Sequence, residues 1–520
     1  MILFEWTVLL LLGAVVLAAA ARRLRVPYPA FLALGGAALA FVPGAPSLVL
    51  EPDLALALFL APILLDAAYD TSLRDLGRNW LPVGALVVFA VSVTTAAVAV
   101  VARLLVPDMP WAAAVALGAI VAPPDAAAAT TILRAVPLPR RILVILEGES
   151  LLNDATSLLL YRAAVAAAVA GVATWRVVPS LLFAVAGGLV AGVVLALLFM
   201  RVTIRTADAP SAIVLQFVST FGVWMIAERL GLSAVITLVT YAITIARRAP
   251  ALVPARLRVP SYAVWETGVF VLNVLAFVLI GLQLRPIWNR IDPSQHASHV
   301  MVALAVLATT ILARFAWVMT YDAAARSWAR MRSSAGAMTP ETVRGGLVVS
   351  WCGMRGIVSL AAALALPDGR GGSLAFPYRD LILLAAFAVV LGTLVVQGFT
   401  LGPLLRRLDL HDEGDLEREI ALARTSAWRA ALGALEGDPS PAAARLRSMY
   451  EEALGDVVRA DGRPAVSLAA GETRRRAIAA ERRAVAQLRS RGEIGDEAFH
   501  RLEQDFDWQE LSATSVARAD

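Results

Sequence analysis

Three carboxyl groups, a hydroxyl and an amide fall within the eight residues Glu147-Gly148-Glu149-Ser150-Leu151-Leu152-Asn153-Asp154, inside an apolar run from about residue 142 to 170. A charged group in the middle of such a run costs at least ~2.5 kcal/mol to place in a membrane, so the concentration points to function. On a helix Glu149 and Asn153 share one face at i,i+4 spacing, and Ser150 and Asp154 share the next. Asp125 and Asp66 are two further acids in apolar surroundings. Carboxylates, a hydroxyl, free carbonyls and water are the ligands that a hard monovalent cation takes. A carboxyl group taken out of water has its ionised form disfavoured, and a bound cation restores it. Asp154 is the residue expected to do the work.

Asp125 follows Pro123-Pro124 in the middle of an apolar run. Two consecutive prolines remove two backbone donors and obstruct the preceding turn, so the helix should break there. Irregular backbone at membrane depth is tolerated where it lines a cavity or is buried in protein, and broken helices are a recurring way to build ion sites. Arg355, in Ser350-Trp351-Cys352-Gly353-Met354-Arg355-Gly356, lies well inside another run and stays charged, so it needs a buried anion. Glu149 is the expected partner in a structural ion pair, which leaves Asp154 free to titrate.

The elements that must position these groups are legible in the composition. Of 520 residues 59% are hydrophobic and 17% charged, which excludes an ordinary soluble fold. The apolar residues gather into about thirteen runs of membrane-spanning length. They lie near 2–21, 28–42, 53–69, 81–105, 111–133, 142–170, 177–200, 211–228, 232–246, 262–284, 299–325, 342–366 and 380–404. The fold expected is an all-α polytopic membrane protein over residues 1–407, embedded in the lipid bilayer. Arginines crowd alternate connections, as at Arg22, Arg23 and Arg25, then Arg74 and Arg78, then Arg140 and Arg141. By the positive-inside rule the amino terminus lies outside and the carboxyl tail in the cytoplasm, as for a protein of the cell membrane.

From about residue 408 to 520 the sequence turns to Arg, Glu, Asp and Ala at helical spacing, the mark of a soluble helical tail. The net charge of +5 is spread over the ends of apolar runs and the tail, which argues against nucleic acid as a partner. One cysteine, Cys352, and four scattered histidines offer neither a disulfide framework nor a metal cluster, and no cofactor is expected. Ile2 to Ala20 is followed, not preceded, by basic residues, so it reads as a retained span.

At Glu149-Ser150-Leu151-Leu152-Asn153-Asp154, Pro123-Pro124-Asp125, Trp351-Cys352-Gly353-Met354-Arg355-Gly356 and Phe277-Val278-Leu279-Ile280-Gly281-Leu282, the chain resembles the monovalent cation/proton antiporter family of NhaP-type and sodium/proton exchangers. Phe59 to Asp66 looks like the family's third span. The resemblance covers roughly residues 1 to 405. It implies an inverted-repeat fold with two crossing unwound segments, a core domain that moves against a dimerisation domain, and a homodimer. It also implies that Asp154 binds the cation or the proton, that Asp125, Ser150 and Asp66 contribute, that Asn153 supports the site, and that Glu149 pairs with Arg355. Many members carry threonine just before the aspartate of the broken helix. Here that position is Pro124, which offers no side-chain ligand.

The expected activity is exchange of a monovalent cation, Na+ first and Li+ or K+ next, for H+. With an amide at Asn153, where an acid would add a second ionisable group, the exchange should be electroneutral. Two rivals from other classes are an intramembrane aspartyl protease using Asp125 and Asp154 as a pair, and an ion channel. The protease chemistry does not demand Arg355 and the proline break, and a channel needs a continuous pore and no proton coupling. No catalytic residue is therefore expected.

Overall fold

The computed structural model describes residues 2–24, 27–42, 52–125, 138–170, 178–206, 208–332, 343–368, 375–408 and 415–459, with scattered positions elsewhere. Among the described residues every regular element is helical. The chain divides into two compact units, Met1–His411 and Asp412–Asp520.

In the first unit α1 is Ile2–Leu24 and α2 is Tyr28–Leu39. Pro52–Ala55 and a wide π-type turn, Leu56–Leu60, lead into α3, Ala61–Asp70. A short α4, Leu73–Arg78, is capped by the Ser72 hydroxyl, which accepts from the Asp75 N–H. Trp80–Gly84 and a second wide turn, Ala85–Ala90, run into α5, Val91–Leu105. Then come α6, Trp111–Val121, and α7, Arg140–Ala170. Next are α8, Val178–Thr203, α9, Ala209–Arg229, α10, Ala234–Leu252, and α11, Ala255–Leu282. α12 is His296–Arg332, α13 is Val343–Trp351, α14 is Ile357–Leu364 and α15 is Arg379–Leu408.

Six helical stretches among the described residues are long and apolar enough to cross a membrane. Their exposed side chains are themselves apolar, as with Leu182, Phe183, Val190 and Leu198 along α8, which is what a helix facing lipid requires. The helix ends follow local chemistry. Pro27, Pro110 and Pro254 stand at helix starts, where their missing N–H goes unmissed. Asp208 accepts from the Ser211 N–H at 2.9 Å to open α9, and this bond holds its carboxyl below the usual range. α9 closes at Gly231, whose φ of 69° places it in the left-handed region.

The helices pack as two groups. α5, α6, α7, α12, α13, α14 and α15 form one, through α5 on α6, α7 on α6 and α12 on α15. α1, α2, α3, α8, α9, α10 and α11 form the other, through α8 on α10 and α2 on α11. The α2–α11 contact explains the Phe277 to Leu282 motif. A Cβ on Gly281 would overlap the Ala33 carbonyl, and one on Gly36 would overlap the Val278 carbonyl, so the two backbones touch directly. In the second unit α16, Asp415–Ala434, packs on α17, Pro441–Arg459, as a hairpin.

Candidate ion-binding site

The helix break expected at the double proline occurs: α6 stops at Val121 and residues 122–125 are unwound. A second break separates α13 from α14 at residues 352–356, although that stretch reads as one apolar run. The two unwound segments cross, and the Asp125 N–H donates to the Met354 carbonyl at 2.7 Å.

Four carbonyls at the break find donors from side chains of other segments. Pro123 cannot bond back to Ala119, and the Ala119 carbonyl takes the Ser157 hydroxyl at 2.6 Å instead. The Pro124 carbonyl takes the Asn153 side-chain amide at 2.7 Å. The Val121 and Ala122 carbonyls take Nε and Nη2 of Arg355 at 3.0 and 3.1 Å. Nη1 of Arg355 reaches the Gly353 carbonyl, and its backbone N–H donates to Thr393 Oγ1 at 3.0 Å.

This overturns the expected Glu149–Arg355 pair. The anion that Arg355 meets is the carbonyl end of α6, which carries the negative pole of the helix dipole. Glu149 pairs instead with Arg314 of α12, through Nη1 to Oε1 at 2.5 Å and Nη2 to Oε2 at 2.9 Å. Both side chains are almost wholly buried. Nη2 of Arg314 also serves the Val349 carbonyl near the end of α13, so each broken helix has its carbonyl end covered by one arginine. Arg314 escaped the sequence reading, yet its signal was there: an arginine inside the run 299–325 bears the same insertion penalty as Arg355.

The two polar faces of α7 have separate duties. Glu149 and Asn153 face protein and hold α12 and the break. Ser150 and Asp154, with Glu147, face a cavity of about 590 Å³. Asp125 and Asp66 line the same cavity, so the structure brings together Asp154, Asp125, Ser150 and Asp66. Asn153 does not join them. It is fully buried, does not line the cavity, and supports the Pro124 carbonyl from behind.

Asp154 is nearly buried, and its carboxylate accepts no hydrogen bond among the described residues. The charge of Asp125 is near enough to act on it. Asp125 itself lies against the start of α14, where a Cβ on Gly356 would collide with its carboxylate. Only glycine leaves that carboxylate its place, beside a helix amino terminus that favours negative charge. The cavity also meets Tyr28, Thr203, Ala249, Val253, Arg258 and Asn273. Thr203, Ala249, Val253 and Arg258 belong to helix ends that adjoin arginine-rich connections.

The family model "Sodium/hydrogen exchanger, transmembrane" matches residues 8–407. An uncharacterised Na+/H+ exchanger of Mycobacterium tuberculosis is 31% identical over 517 residues, covering 96% of this chain and 94% of the relative. A sodium, potassium, lithium and rubidium/H+ antiporter of Bacillus pumilus is 29% identical over 423 residues, 79% of this chain and 62% of its own length. Among solved structures, the sodium proton antiporter MjNhaP1 from Methanocaldococcus jannaschii superposes with a TM-score of 0.60 at 17% identity, over 78% of this chain and 99% of that one. That likeness is one of fold.

Proposed function

The chain belongs to the sodium/hydrogen exchanger family, and from that premise we propose that Asp154 carries the exchanged ion, with Asp125 and Ser150 completing its ligands. The protein is a multi-pass membrane antiporter that exchanges a monovalent cation for H+, and not an enzyme. One observation carries the assignment of Asp154. Its carboxylate stands in the cavity and accepts no hydrogen bond among the described residues, while Glu149 and Asn153 on the neighbouring face of α7 are consumed by structure.

Proton and cation compete for that carboxylate, since burial penalises the bare charge and either ligand relieves it. If only loaded forms cross, the competition alone couples the fluxes. Na+ is the first choice of cation; the name of the Bacillus pumilus relative, which covers potassium, lithium and rubidium as well, supports Li+ and K+ as further substrates. The exchange is electroneutral, one charge for one, on the reading that Asp154 alone takes up and releases the proton. The site is reached from the cytoplasm: the arginine-rich helix ends around the cavity support that orientation, with the amino terminus outside and the tail inside. The working form is a homodimer in the cell membrane, a reading that rests on the family resemblance.

Reconstitution in liposomes with an internal pH dye, challenged in turn with Na+, Li+ and K+, tests the reading. Cation-driven proton movement is expected in the native protein and its loss in Asp154→Asn. Exchange retained by the variant would overturn the assignment, and voltage-dependent exchange would overturn electroneutrality.

A further inference from the structure

We infer that Arg258 is a resident counter-cation of the cavity, a fixed positive charge that opposes the acidic walls and thereby sets how tightly the transported cation is held. The inference rests on the antiport reading above and concerns a residue outside the ion site itself.

Among the described residues the charged groups lining the cavity are Asp66, Asp70, Asp125, Glu147, Asp154 and Glu266, against a single base, Arg258. Other arginines of the bundle are anchored: buried Arg314 by Glu149, buried Arg355 by carbonyls, and half-buried Arg140 by Asp75 at 2.8 Å. Arg258 makes no hydrogen bond or ion pair among the described residues, and its Nε is buried without a partner. Nor does its own helix favour it. It stands in the first turn of α11, where the dipole repels a cation. Its field reaches Tyr69, next to Asp70 on α3 across the cavity.

A guanidinium without a partner among the described residues, in a cavity whose other charged side chains are carboxylates, is held by their summed field. In a cleft with low-dielectric walls such charges act well beyond contact distance. The transported cation answers to the same field. Whatever share of it Arg258 cancels is lost to the cation, so removing the guanidinium charge should strengthen cation binding without altering the ligands at Asp154.

The test uses the full chain in liposomes at low ionic strength, with Na+ as the probe. Arg258→Gln should lower the apparent KM for Na+ by about three- to tenfold, and the gap should close as ionic strength rises. Arg258→Lys, which keeps the charge, should stay near the native value. Tyr262→Lys, one turn further along α11 on the same cavity wall, should shift KM the other way. A KM left unchanged in Arg258→Gln, including one accompanied by a fall in maximal rate, would overturn the inference, because that is what a purely structural role produces. If Arg258→Gln does not accumulate in the membrane, Tyr262→Lys decides alone, and an unchanged KM there overturns it equally. Absence of Na+-driven proton movement in the native protein would strike the antiport reading first and this one with it.

Discussion

Glu149 and Arg314 meet in a two-pronged contact, 2.5 and 2.9 Å long, and the same guanidinium reaches the Val349 carbonyl at 2.9 Å. One side chain thus ties α7, α12 and the end of the broken helix α13. Removing one partner of a buried pair strands the other charge. Arg314→Gln and Glu149→Gln should each lose about 3 to 5 kcal/mol of stability, whereas the double variant should lose less than their sum. Thermal unfolding in detergent reads this out, and additive losses would contradict it.

Gly356 gives Asp125 its place at the start of α14. Gly356→Ala should displace the carboxylate and raise the apparent KM for the cation by about an order of magnitude, the loss expected from one misplaced charged ligand. The maximal rate should fall less. Cation-dependent exchange in liposomes separates the two, and a native KM would show that the collision is relieved elsewhere.

Asn153 works as a donor, to the Pro124 carbonyl at 2.7 Å. Asn153→Ala should cost about 1 to 3 kcal/mol for a buried acceptor left unpaired. Asn153→Asp should be no better, because an ionised carboxylate faces that carbonyl without a proton to give. A variant as stable as the native protein by thermal unfolding would remove this role.

Competition for one carboxylate fixes the sign of the pH response. Protons occupy the site at low pH, so the apparent KM for the cation should rise as pH falls, approaching about tenfold per pH unit on the acidic limb while maximal rate is retained. Initial rates across a cation and pH matrix test this. A KM flat with pH would mean separate proton and cation sites.

Arg355 should tolerate lysine poorly. Its three nitrogens serve the Val121, Ala122 and Gly353 carbonyls at once, and an ammonium cannot span them. Arg355→Lys should accumulate in reduced amount and unfold at lower temperature. Native-like unfolding would show that the charge alone suffices.

The membrane-spanning character, the proline break and the shared face of Ser150 and Asp154 were legible in the sequence for local reasons, whereas the grouping of Asp125 and Asp66 with them came from the resemblance. Apolar length determines a span, two prolines determine a break, and i,i+4 spacing set Ser150 and Asp154 on one face of α7. The second break, at residues 352–356, lacks a proline and was legible only through resemblance.

By itself the sequence determined that charged groups lie buried, because burial follows from the apolar run around each one. Only the tertiary structure decided which charge meets which partner. Glu149 and Arg314 are 165 residues apart in the chain, and Arg355 is 234 from the Val121 carbonyl that it serves. Two arginines in apolar runs are equivalent in one dimension. The crossing of the unwound segments distinguishes them, since it brings the carbonyl end of α6 within reach of Arg355 and leaves Glu149 to the helix beside it.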